Sequence, residues 1–83
     1  MYKPTKKEPG NVSQYKENPI LLRMEKPKSP LSVCFFQSLE DDFFVNVVRF
    51  KTKSGEISYD SMIIKPDFDQ FVRSYERDGF SKV

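Results

Sequence analysis

Histidine and tryptophan are absent from this 83-residue chain, cysteine occurs once and glycine three times. Without histidine, both the commonest general base and the commonest nitrogen ligand for transition metals are missing. A single cysteine, Cys34, excludes an intramolecular disulfide and a cysteine-pair zinc site. Gly10, Gly55 and Gly79 lie too far apart to build a phosphate-cradling loop or a dinucleotide fingerprint. No apolar run approaches the ~18 residues of a membrane span. No leader-like segment opens the sequence, and Cys34 sits inside an apolar run, which fits a reducing compartment. These absences lead to the expectation of a non-enzymatic intracellular protein, cytoplasmic or nuclear, with no cofactor, no metal and no membrane contact.

Charge is present but unevenly placed. Residues 1–30 hold seven Lys/Arg against three Asp/Glu, whereas residues 31–83 hold seven against nine, so a basic arm precedes a mildly acidic fold. Residues 1–18 contain two prolines, a glycine and little that is apolar, and are expected to form a disordered basic arm ahead of one domain at 19–83. A cationic arm suits phosphates, or an acidic protein surface, through counterion release or simple attraction. It equally suits a solubilising tail.

The domain reads as four strands and a helix. Ile20 to Glu25 is a first strand, ended by the prolines of Lys26 to Pro30. Leu31 to Leu39 and Phe43 to Lys51 are rich in β-branched and aromatic residues and are separated by the acidic turn Glu40, Asp41, Asp42. Glu56 to Ile64 alternates as a half-buried strand after a hairpin closed by Gly55. Phe68, Phe71, Val72 and Tyr75 then form one helical stripe, with Pro66 at the start and Gly79 at the end. The expected class is α+β, a four-stranded antiparallel sheet followed by one C-terminal helix.

Chemistry-bearing residues concentrate around the third strand. Phe43, Val45, Val47, Arg49 and Lys51 share one face of it, and Phe44, Asn46, Val48 and Phe50 the other, so both faces are partly apolar with a single helix to cover them. The uncovered face then awaits a second subunit or a ligand. Arg49, Lys51 and Lys53 supply cations for a phosphate backbone, and Phe50 and Tyr59 supply rings for unpaired bases. Lys6 and Lys7, with Tyr2, Tyr15 and Lys16, repeat that mixture in the arm. On the alternative reading the hairpin charges are solvent-facing and Phe50 is core. Cys34, between Ser32 and Phe36 in the alternation, reads as a small buried hydrophobe, and the acidic triplet as a solvated turn.

The string Ile64-Lys65-Pro66-Asp67-Phe68, followed by Asp69-Gln70-Phe71, ends a stretch from Phe43 to Gly79. That stretch resembles the C-terminal half of the whirly-type single-stranded-DNA-binding coactivators related to positive cofactor four. The resemblance implies a ββββα domain that dimerises through its helices and offers curved sheets to single-stranded DNA or RNA, in transcription or replication. The chain departs from the family pattern at Glu40, Asp41 and Asp42, where the family is more basic. The expected partners are therefore single-stranded nucleic acid and a second copy of the chain. The alternative is a small regulator or inhibitor that captures a larger protein by a sheet edge or apolar face.

Overall fold

The computed structural model describes residues 10–83. It is α+β: an antiparallel sheet of β1 (Ile20–Glu25), β2 (Leu31–Gln37), β3 (Phe44–Lys51) and β4 (Ile57–Ile64), then helix α1 (Phe68–Arg77) and a fifth strand, β5 (Ser81–Lys82). The spatial order is β4-β3-β2-β1-β5. Four strands were expected. The fifth is only two residues long and carries no periodicity of its own; Met24 and Glu25 of β1 pair with it, and Val83 N–H donates to the Arg23 carbonyl at 3.0 Å.

Local chemistry sets each reversal. Between β1 and β2, Lys28 adopts φ 65° and Ser29 N–H returns to the Lys26 carbonyl. The acidic triplet is a capped turn: Asp41 Oδ1 accepts from Phe43 N–H at 2.9 Å, and Ser38 Oγ accepts from Glu40 N–H at 3.2 Å. Between β3 and β4, Gly55 takes φ 80° and donates to the Lys51 carbonyl. A short 3-10 turn, Lys65–Asp67, with its proline at the start, feeds α1. Gly79, at φ 103°, lets Phe80 fold back to donate to the Tyr75 carbonyl and set its ring 5.3 Å from that of Tyr75.

The alternation along the strands produces two apolar clusters. Val33, Phe35, Val45, Val47 and Met24 face α1 and pack with Val72, Tyr75, Phe80 and Ile63. In the helical stripe Val72 and Tyr75 are buried, whereas Phe68 and Phe71 are half-buried against the cluster. Cys34, Phe36, Val48 and Phe50 form the second cluster on the helix-free face.

That second cluster is covered by the chain itself. Residues 10–18, expected to be part of a disordered arm, lie across the helix-free face. Asn11 caps a single 3-10 turn, Val12–Tyr15, through a reciprocal pair with Gln14. Val12 and Tyr15 pack on the cluster, Val12 N–H donates to Gly55 at 2.7 Å, and Ile57 N–H donates to Gly10 at 2.8 Å. Two apolar side chains and a strand-like backbone bridge are enough to order so short a segment when a hydrophobic face is already there to receive it. Lys6 and Lys7 lie outside the described residues. Among the described residues no helix is long and apolar enough to cross a membrane.

Candidate functional site

Where the strap of residues 10–18 crosses the sheet, it leaves an open cleft of about 380 Å³ on the helix-free face. That size is at the small end of ligand-binding clefts. Cys34, Phe36 and Phe50 lie at its floor, Tyr15 and Val12 make one wall, and Lys16, Arg23 and Lys53 stand at its rim. Among the described residues no Asp or Glu lines it.

Each cation reaches the cleft from a different element. Lys16 follows the 3-10 turn, Lys53 sits in the β3–β4 hairpin, and Arg23 projects from β1 on the face opposite Leu22 and Met24. Arg23 places its guanidinium 5.5 Å from the Phe50 ring centre and bonds Glu25 at 3.1 Å. Its Nε is buried with no hydrogen-bond partner among the described residues. The ring face offsets part of that loss, since a cation–π contact of a partly exposed guanidinium contributes about 0.5 to 1 kcal/mol.

Tyr15 is the aromatic wall. Its ring stacks on Phe36 at 5.0 Å and 13° between planes, and its hydroxyl donates to Asp60 at 3.4 Å. Burial, and then the neighbouring Asp60 carboxylate, raise the Tyr15 hydroxyl above its ordinary value of 10.0. Burial pushes the Cys34 thiol up from 9.0 to about 11 against the opposing pull of the Arg23 cation. A thiol held neutral in this way is a poor nucleophile and fits the reading of Cys34 as packing.

The expected binding residues do not form one surface. Arg49 and Tyr59 are register partners on the helix-side face, with the guanidinium 4.4 Å from the ring centre, so each occupies the other. Lys51 is exposed and bridges Glu56 at 3.3 Å. Phe50 corrects the expectation of a stacking ring: it is 3% exposed under Val12, Ile57 and Arg23, because its side of β3 is the one the strap covers. Among the described residues, Phe50 lines the floor of the cleft and Lys53 its rim, whereas Arg49, Lys51 and Tyr59 lie outside it. Of the residues there, Tyr15 and Lys16 belonged to the aromatic and basic mixture noted in the arm. Arg23 was missed, and its signal was a cation between two apolar residues on a strand, Leu22 and Met24.

Gly55 holds strap and hairpin together. A Cβ there would stand 2.9 Å from Asn11 Oδ1 and 3.2 Å from Val12 Cγ1, at a backbone φ that side chains rarely adopt. Gly55→Val is therefore expected to lift the strap and to destabilise the domain by about 1 kcal/mol or more. Cys34, 2% exposed beneath it, reports the change: labelling by a thiol reagent at pH 8 should be slow in the wild type and faster in the variant. Equal rates would show that the strap does not shield the floor.

The buried thiol also fixes a pH response. Its folded pKa lies above its ordinary value, so the contribution of the neutral thiol is complete below pH 9 and is lost as pH rises towards 11. The raised hydroxyls of Tyr15 and Tyr75 act in the same direction at slightly higher pH. Urea midpoints measured from pH 7 to 10.5 should fall more steeply for the wild type than for Cys34→Ala. Parallel curves would contradict a buried neutral thiol.

No protein-family model, curated protein or solved structure matches this chain.

Proposed function

We propose that this domain is a non-enzymatic, intracellular binder of single-stranded nucleic acid, acting in transcription or replication, with the helix-free face as its binding surface. The observation that carries the reading is the charge of the cleft: the three ionic residues that line it among the described residues, Lys16, Arg23 and Lys53, are all cations and surround an aromatic wall. Phosphates supply the complementary charge, and each neutralised phosphate releases counterions. The Tyr15–Phe36 stack offers a π-surface that an unpaired base extends. A duplex keeps its bases stacked on one another and leaves that ring without a partner.

Fluorescence polarisation with labelled single- and double-stranded oligonucleotides at 50 to 200 mM salt tests this reading. Single strands should bind more tightly, with a slope of log K against log salt of about −2, from roughly −0.7 for each of three cations. Absence of single-strand binding at 50 mM salt would defeat the proposal and point to a protein partner instead.

A further inference from the structure

We infer that the β4 edge docks a second copy of this chain, the two β4 strands pairing antiparallel about Ser61 into one continuous sheet. Among the described residues β4 is the outer strand at its side of the sheet, whereas the opposite edge is the two-residue β5. Lys65 N–H donates to the Phe43 carbonyl, and hydrogen-bonded pairs alternate along an antiparallel ladder. The backbone groups of Tyr59, Ser61 and Ile63 are therefore turned to β3, and those of Asp60, Met62 and Ile64 point outward. Neither lysine nor proline interrupts Ile57–Ile64, and the one irregularity, a register shift that sets Tyr59 opposite Arg49 and Ile57 opposite Phe50, lies at its start, so Tyr59 to Ile64 run as an unguarded edge. Met62 is 55% exposed and Tyr59 45%.

The free length of this edge selects the partner and the register. At one end the Ile57 N–H is already taken by Gly10, and Asn11 bridges Glu56. At the other end Pro66 has no N–H to give. Among the described residues, 58–64 are left to pair, and their midpoint is Ser61. A two-fold axis there sets Asp60 against the second copy's Met62, Tyr59 against its Ile63, and Ser58 against its Ile64. Shifting the axis to Asp60 would oppose two carboxylates, and shifting it to Met62 would oppose Ser58 and Pro66. With the axis at Ser61 the strand's one charge meets no like charge and Pro66 stays outside the ladder, and neither neighbouring register meets both conditions. The outward face of α1 gives a second copy less to hold: Asp69, Gln70, Arg73, Ser74, Glu76 and Arg77 are all exposed and polar.

Ser61 would face its own symmetry mate in a non-hydrogen-bonded pair, with Cα atoms about 4.5 Å apart. That spacing is within disulfide reach. Ser61→Cys should therefore give a disulfide-linked dimer under mild oxidation without nucleic acid. Ser58→Cys, which faces Ile64 of the second copy, should link at least about tenfold more slowly, and buried Cys34 is common to both variants. Sedimentation equilibrium should show a dimer whose Kd rises about tenfold in Met62→Glu and falls in Met62→Lys, because each symmetric pair then repels or attracts Asp60. A wild-type monomer at all concentrations would overturn the inference. So would equal linking of the two cysteines, or equal shifts in the two Met62 variants.

Discussion

Phe35→Ala is expected to destabilise the domain by about 3 to 5 kcal/mol. Phe35 is 0% exposed in the middle of β2, and its ring meets Phe68 edge-on at 5.1 Å and Tyr75 at 6.0 Å. Truncation removes the transfer free energy of the ring and leaves a cavity directly under α1. Neither side can close it, because Val33, Val45 and Val47 are held by backbone ladders. Domains of this size have roughly 5 to 15 kcal/mol in total, so a large part of the molecules would be unfolded at ambient temperature if the reserve is near the lower end. Urea unfolding followed by circular dichroism measures the loss. Phe43→Ala is the control, since Phe43 is 48% exposed and its truncation should stay near 0.5 kcal/mol. A loss below about 1 kcal/mol for Phe35→Ala would mean that α1 does not rest on the sheet as described.

Lys16→Glu with Lys53→Glu is the corresponding experiment on the cleft. Both side chains are exposed and neither is an ion-pair partner among the described residues, so reversal should leave the fold intact. If each contacts a phosphate, the salt slope falls by about 1.4, which removes roughly a sevenfold change in affinity between 50 and 200 mM salt. Affinity at 50 mM should drop by at least about tenfold, since two attractions become two repulsions. Lys51→Glu is the informative comparison. Lys51 is equally cationic but faces Glu56 outside the cleft, so its reversal should weaken binding far less. Equal losses from the two changes would mean that binding follows net charge and that the cleft has no special part in it.

The strap is where reading along the chain and reading across the fold diverge most. By composition residues 10–18 are polar and proline-flanked, and nothing local predicts order. Order comes from Val12 and Tyr15, two residues in a polar segment, meeting a face of Phe36, Phe50 and Ile57 that is assembled from three different strands. The same contact removes Phe50 from solvent and makes Tyr15 the aromatic wall of the cleft. Arg49 and Tyr59 show a related effect. They fall on adjacent strands as the alternation requires, yet the register sets them directly opposite, and the cation occupies the ring.

What the amino-acid order determined by itself was the set of elements and their faces: β1 to β4, α1, the glycine-closed hairpin and the split of β3 into two apolar sides. Those features follow from periodicity and from glycine and proline stereochemistry, which act over a few residues. What the tertiary structure alone decided was the fifth strand, the strap and the gathering of Lys16, Arg23 and Lys53 around one cleft. Each depends on which residues distant in sequence become neighbours, and burial and charge at a site are sums over those neighbours that no short stretch of sequence contains.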